Sequence, residues 1–153
     1  MSGGTTNFQI ENVLGPALEG KFGGVFCKDD LAGLSPPKGK IYVINLADRG
    51  DGGTHWVLVS DLDLKQICYF DSFGISPPLL IQQFMSRAPK GKRLVYSDAQ
   101  YQDLSSDVCG EFCVFCALLL FRGFSYLLIL EDILDPNDIP KNESLVKNII
   151  RRG

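Results

Sequence analysis

The sequence predicts an α+β fold in which a mostly antiparallel central sheet is flanked by helices. Short apolar runs rich in β-branched residues, each bounded by turn residues, occupy the middle of the chain and are typical of strands. Segments with helical spacing of apolar residues follow them. With 45% apolar residues among 153, the chain is long enough to bury a core. We therefore expect one domain over residues 1–153, with residues 1–10 flexible.

Three consecutive runs predict the centre of the sheet. GKIYVINLA is short, apolar and β-branched, and predicts a first strand. After the glycine-rich turn DRGDGG, THWVLVSDL predicts a second strand, and QICYFDSF predicts a third. Because these runs are almost continuously apolar, we expect both faces of the strands to be covered.

The later elements lead to a helix that begins near a cysteine. PLLIQQFMS has helical spacing, with Pro78 in its first turn, and KRLVYSDAQ predicts a fourth strand. SSDVCGEFCVFCALLLFRG has the features of a helix entry, in which Ser106 or Asp107 caps the helix and Gly123 ends it. Cys109 is therefore expected at or near a helix N-terminus.

Charge and cysteine content narrow the functional classes. With 15 basic and 18 acidic residues the net charge is −3, so we expect weak or no binding to nucleic acid. Five cysteines, an odd number, do not resemble a secreted disulfide framework, and the N-terminus lacks the pattern of a signal peptide. The apolar run Phe112 to Leu130 is interrupted by Arg122 and Gly123 before a membrane span accumulates. We expect an intracellular, non-secreted protein without a membrane segment.

Four residues form a candidate catalytic set. His55, the single histidine, starts a strand, and one hairpin later Asp71 ends the next strand, where a carboxylate can hold an imidazole in one tautomer. Cysteine catalysis needs a thiolate, which a helix N-terminus and an imidazolium both favour, and Cys109 is placed to receive both. Gln102 supplies an amide donor for a developing oxyanion. Each residue taken alone also has a structural interpretation, but together they are the types that acyl transfer requires.

The cysteine spacing also allows a metal interpretation. Cys109, Cys113 and Cys116 form C-x3-C-x2-C, the spacing of the iron–sulfur motif in radical enzymes that use S-adenosylmethionine. Such a motif lies on an extended or glycine-rich loop, whereas these residues lie in an apolar helical segment. No second Cys/His pair has the spacing of a zinc site. We expect no metal, and expect Cys113, Cys116, Cys27 and Cys68 to be structural.

The segments GGTHW, CYFDSFG and YQDLSSDVCGEFC resemble the catalytic segments of the adenain family, the adenovirus maturation proteases. More distantly, they resemble the ubiquitin-like-protein proteases of the same clan. The similarity covers roughly residues 15–125. It implies that His55 is the general base or imidazolium partner, Asp71 its orienting acid, Gln102 the oxyanion-hole amide and Cys109 the nucleophile. It also implies that Trp56 shields the site.

The resemblance implies a cysteine endopeptidase that cuts next to small residues, commonly Gly-Gly, through a thioester acyl-enzyme. Its partners would be polypeptide substrates, namely viral capsid and core precursors processed during virion maturation in the host cell and virion, and it would act as a monomer. One alternative is an isopeptidase that removes ubiquitin or SUMO-like modifiers. Another is a non-catalytic peptide-binding scaffold.

The sequence itself requires no cofactor. The resemblance implies activation by DNA and by a short viral peptide tethered through a disulfide. Two departures argue against both: the chain is acidic, and no cysteine lies between Cys68 and Cys109, where the tether is expected. The orienting acid also differs from that of adenain, which has a glutamate where this chain has Asp71. The ubiquitin-like-protein proteases likewise have an aspartate.

Overall fold

The computed structural model describes residues 5–47 and 55–150. Five strands form one sheet in the order β1-β2-β3-β4-β5: Phe22–Cys27, Ile41–Asn45, Trp56–Ser60, Gln66–Phe70 and Arg93–Tyr96. The helices α1 to α5 are Asn7–Ala17, Leu79–Ser86, Cys109–Phe121, Tyr126–Leu128 and Ile139–Val146. A 3-10 helix covers Lys28–Gly33, and a π-helical turn covers Ile129–Ile133. The predicted α+β class, with a sheet flanked by helices, is confirmed.

The direction of the edge strands differs from the prediction. Strands β2, β3 and β4 pair antiparallel, but β1 pairs parallel to β2 and β5 pairs parallel to β4. The expectation of a mostly antiparallel sheet is therefore wrong at both edges of the described sheet. Parallel neighbours need a crossover connection, which residues 28–40 and 71–92 supply through the 3-10 helix and α2.

Strand β1 is not predicted by its sequence pattern, because two glycines interrupt FGGVFC. The structure gives a reason for these glycines. A Cβ at Gly23 would lie 2.2 Å from the Tyr42 ring, and Gly24 has a φ of +123° beside a register shift. The tyrosine of β2 therefore packs directly on the backbone of β1, which only glycine permits.

Two apolar clusters cover the two faces of the sheet, as the continuous apolar strands predict. In β3, Trp56 and Leu58 belong to the cluster under α1 and α3, whereas Val57 and Val59 belong to the cluster under α2. This alternation is the normal consequence of strand geometry. Eight of the first nine residues of helix α3 are buried, so it is a central helix rather than a surface helix. In the part of the chain that the structure describes, no helix is long and apolar enough to cross a membrane.

The N-terminal segment is anchored where the sequence predicts flexibility. Thr6 and Gln9 form a capping box at the start of α1, with distances of 3.2 Å and 2.8 Å for its two hydrogen bonds. Ile10 is fully buried, and the Thr5 hydroxyl donates to Oε1 of the buried Glu111 at 2.6 Å. These contacts hold residues 5–10 against the fold and residues 1–4 lie outside the described range, so the flexibility of residues 1–10 stays a prediction.

Replacing Thr5 by valine should remove this anchor without changing the side-chain shape. The buried Glu111 carboxyl group would lose its hydroxyl donor, which is expected to lower the free energy of unfolding by about 1–3 kcal/mol. Urea denaturation of Thr5→Val and of the hydroxyl-retaining Thr5→Ser would measure it. Equal stability of wild type and Thr5→Val would contradict the anchor.

Candidate active site

His55 lies directly before β3, at the end of the β2–β3 hairpin. Its backbone is fixed there, since its carbonyl accepts from the Leu46 N–H at 2.9 Å and its N–H donates to Asn45 Oδ1 at 3.4 Å. The imidazole is 20% exposed. The strand end therefore presents a nearly buried ring in a defined position.

Asp71 follows β4 and meets this ring. Nε2 of His55 and Oδ1 of Asp71 are 2.9 Å apart, and the carboxyl group is 1% exposed. A carboxylate can only accept, so Nε2 carries the proton and donates it to Oδ1. Nδ1 of His55 is buried and has no hydrogen-bond partner. The structure thus brings the two predicted residues together and leaves one ring nitrogen unpaired.

The turn after Asp71 also shapes the site. Oδ1 of Asp71 accepts from the Phe73 N–H at 2.8 Å, so the aspartate caps its own turn while it contacts His55. The Phe73 ring stacks on the imidazole with centroids 4.7 Å apart and an interplanar angle of 19°. Gly74 closes the turn with a φ of +78°, where a Cβ would lie 2.5 Å from the Ala99 carbonyl oxygen. Sequence reasoning missed the contact of Phe73 with His55, although the aromatic residue in DSFG was visible.

Cys109 is the first residue of α3, and the residue is buried, with 5% of its surface exposed. Its Sγ accepts a hydrogen bond from the Trp56 N–H at 3.4 Å. Trp56, the residue after His55, thus contacts the sulfur through its backbone N–H. The indole Nε1 of Trp56 donates to the Thr5 carbonyl at 3.0 Å.

The predicted caps of α3 are wrong: Val108 occupies the N-cap position and makes no side-chain cap bond. The Ser106 hydroxyl accepts from Gln102 Nε2 instead.

The protonation of His55 depends on these neighbours. Burial alone would lower the pKa of the imidazole, but the hydrogen bond to Asp71 and the charges of Asp71 and Cys109 raise it from 6.5 to about 9. An imidazolium is therefore the favoured form of His55 at neutral pH.

Gln102 is fully buried and belongs to a polar network beside the dyad of His55 and Asp71. Its Oε1 accepts from the Ser72 hydroxyl, and its Nε2 donates to the carbonyl and hydroxyl oxygens of Ser106 at 3.1 Å and 2.9 Å. Ser72 directly follows Asp71, so the network joins the loop after β4 that carries Asp71, here called the acid loop, to the loop that leads into α3. Gln102 is therefore connected to this site through its hydrogen bond with Ser72, and its side-chain amide donates to Ser106.

The other cysteines lie apart from this chemistry. Cys113 and Cys116 are buried in the apolar cluster around α3, and burial raises the pKa of both thiols. Burial also raises the pKa of the Cys68 thiol to about 12. Thiols with such values remain protonated and unreactive at neutral pH. Among residues 5–47 and 55–150, no group of His, Cys, Asp and Glu side chains has an arrangement that could hold a metal ion.

Solved structures of proteases share the architecture of this chain. An ASFV protease aligns with a TM-score of 0.66 at 18% identity, covering 94% of this chain and 68% of the other. The SUMO protease Ulp1, whose structure has its catalytic cysteine oxidised to a sulfinic acid, aligns with a TM-score of 0.55 at 15% identity, covering 97% and 78%. At these identities the likeness concerns the fold.

The sequence comparisons point to adenovirus proteases in particular. The protease of Avian adenovirus 8 is 35% identical over 75 residues, or 48% of this chain and 37% of that protein. The protease of Frog adenovirus 1 is 28% identical over a stretch that covers 80% of this chain and 66% of that protein. The chain thus spans less than two thirds of these relatives, and no family model matches it. The resemblance stated from the motifs is confirmed.

The titration of His55 can be observed directly, because it is the chain's single histidine. We expect its imidazole resonances to titrate near pH 9, and Asp71→Asn to lower this midpoint by about one pH unit or more, since the carboxylate raises the pKa. NMR titration of both proteins would measure the shift, with the surface substitution Asp63→Asn as a control. A wild-type midpoint below pH 7 would contradict the described geometry.

The same pKa predicts a pH-dependent stability. The pKa of His55 is higher in the folded chain than its unfolded value of 6.5, so its protonation stabilises the fold fully below pH 6.5. This contribution is lost as the pH rises from 6.5 through about 9. The advantage of wild type over His55→Gln in free energy of unfolding should therefore shrink across this window. Urea denaturation on both sides of the window tests it, and a constant difference would refute it.

Proposed function

We propose that this chain is a cysteine endopeptidase in which Cys109 is the nucleophile, His55 the general base and acid, and Asp71 the orienting carboxylate. The observation that carries the proposal is one continuous set of contacts. Asp71 holds Nε2 of His55 at 2.9 Å, and the residue after His55 donates its N–H to the Cys109 sulfur at 3.4 Å. This set joins an acid, a base and a thiol at the start of a helix.

In the proposed reaction, the Cys109 thiolate attacks the carbonyl carbon of the scissile peptide bond. The carbonyl oxygen becomes an oxyanion, and the imidazolium of His55 gives its proton to the leaving amine as the C–N bond breaks. The resulting thioester is hydrolysed by water, whose proton passes to His55, and the thiolate leaves. Nδ1 is the ring nitrogen available for these transfers, since Asp71 engages Nε2.

The oxyanion would be stabilised by Gln102 and by the N–H groups at the start of α3. Support for the second group is the absence of a side-chain cap on Val108, because first-turn N–H groups without a cap can face a negative oxygen. Gln102 already sits in a network with Ser106 and Ser72. For this role its Nε2 exchanges one contact with Ser106 for the oxyanion, which is the kind of tightening that occurs when substrate binds.

The proposed substrates are polypeptides cut next to small residues at Gly-Gly sites, specifically precursors of viral capsid or core proteins. The similarity to proteases of adenoviruses supports this choice. The second candidate is an isopeptidase acting on ubiquitin or SUMO-like modifiers, which the fold likeness to the SUMO protease Ulp1 supports. We further propose that the enzyme works as a monomer and needs neither DNA nor a tethered peptide.

Substitutions should separate the proposed roles. A peptide with an apolar residue, any residue and then Gly-Gly should be cut by wild type, while Cys109→Ala abolishes cleavage. His55→Ala should lower kcat/KM by at least about 1,000-fold, and Gln102→Ala should lower kcat by about 100- to 1,000-fold. Cys27→Ala, a partly buried cysteine outside the site, is the control and should retain activity.

The same proteins distinguish the alternatives. Iodoacetamide labelling read by mass spectrometry should modify Cys109 at neutral pH in wild type and not in His55→Ala, because the imidazolium supports the thiolate. A SUMO vinyl sulfone probe that labels Cys109, with no peptide cleavage, would favour the isopeptidase. If wild type shows no peptide cleavage, no probe labelling and no selective alkylation of Cys109, the results would favour the non-catalytic scaffold. A cleavage rate that rises only with added DNA or peptide would overturn the cofactor-independent form of the proposal.

A further inference from the structure

We infer that helix α5 is the element that positions the proposed oxyanion donor, with Asn142 and Glu143 as positioning residues for Gln102. The inference rests on the proposed function, since it concerns the same site. Gln102 lies in an irregular segment, residues 97–108, which has no ladder of strand or helix hydrogen bonds to hold it. Inside the segment, the Gln102 carbonyl accepts from Gln100 Nε2 at 2.8 Å, and the other backbone groups around Gln102 are held from outside.

Asn142 makes the first of two contacts. Its side chain is completely buried, and its Nδ2 donates to the Tyr101 carbonyl at 3.1 Å and to the Asp135 carbonyl at 2.7 Å. Its Oδ1 accepts from the Asp135 N–H at 2.9 Å. The amide thus joins the loop before α5 to the residue directly before Gln102. An apolar side chain of similar size could fill the space but could not hold these backbone groups.

Glu143 makes the second contact, on the other side of Gln102. Its Oε2 accepts from the Asp103 N–H at 2.9 Å. Consecutive residues of α5 therefore bind the carbonyl before Gln102 and the N–H after it. Both peptide groups that flank Gln102 are held, so the direction in which its side chain leaves the backbone is fixed.

The opposite side of the same segment is tied to the acid loop. The N–H groups of Tyr101 and Gln102 both donate to the Ser72 carbonyl, at 2.9 Å and 3.2 Å. The Tyr101 hydroxyl donates to the Leu130 carbonyl at 2.9 Å. Gln102 is thus held between the loop that carries Asp71 and helix α5, while its side-chain Nε2 donates to the hydroxyl and the carbonyl of Ser106.

A positioning role predicts a specific kinetic effect. An oxyanion donor acts mainly in the transition state, so loosening it lowers kcat with little change in KM. Small misplacements of a reacting group are costly, because electrostatic stabilisation depends on a preorganised donor. A contact that only supported the fold would instead lower stability and leave the kcat of the folded fraction unchanged.

The test uses four single variants in the full chain, with a cleavable Gly-Gly peptide as substrate. We expect Glu143→Ala to lower kcat by about 3- to 10-fold and Asn142→Ala by about 10- to 100-fold, with KM nearly unchanged. Glu143→Gln keeps an acceptor oxygen and should restore most of the activity. Ser144→Ala, an exposed neighbour on α5, is the matched control and should behave as wild type.

A double-mutant cycle identifies the residue through which α5 acts. In a Gln102→Ala background, Glu143→Ala should cause no further loss of kcat, because the donor that it positions is gone. An unchanged kcat in Glu143→Ala, or a full further loss in the Gln102→Ala background, would overturn the inference while leaving the proposed function intact. If wild type cleaves no peptide, that result contradicts the proposed function, on which this inference rests. If Asn142→Ala does not fold, the Glu143 variants still decide.

Discussion

The antiparallel pairing of β3 with β4 is the constraint on which the candidate site depends. Leu58 lies opposite Phe70 in this ladder, which brings the start of β3 beside the end of β4 and so places His55 next to Asp71. A shift of one residue would turn every side chain of β4 to the other face of the sheet. The two buried apolar clusters resist that shift, since each takes alternate residues of both strands. Core packing therefore fixes the acid–base pair.

Helix α3 adds the thiol through a different kind of packing. Because the helix is buried along its first turns, Cys109 enters the site from inside the molecule, beside the backbone of Trp56. Gly110 lets Thr5 approach closely: a Cβ there would lie 2.8 Å from the Thr5 Cβ. The anchored N-terminal segment thus packs directly against the first turn of α3. The position of the sulfur is set by contacts that are far apart in sequence.

The sequence predicts those parts that short-range patterns encode. Strands β2 to β5 follow from their apolar runs, and the proximity of His55 and Asp71 follows from one hairpin. The capping box of Thr6 and Gln9 was also readable and would have predicted α1. By contrast, β1 is hidden by glycines whose purpose lies in the Tyr42 ring of the neighbouring strand. The parallel edges are likewise set by crossovers and packing rather than by any local pattern.

The contacts of α5 with the Gln102 segment belong to the same long-range category, and no spacing in the sequence indicates them. What marks the site physically is incomplete hydrogen bonding. In the described part of the chain, the buried side-chain N and O atoms without a hydrogen-bond partner are His55 Nδ1, Asp71 Oδ2 and the Tyr69 hydroxyl. Two of these three atoms belong to the acid–base pair, and Tyr69 lies two residues before Asp71. Such groups are costly to bury and are rare in folded proteins, so the described structure departs most from complete hydrogen bonding around His55 and Asp71.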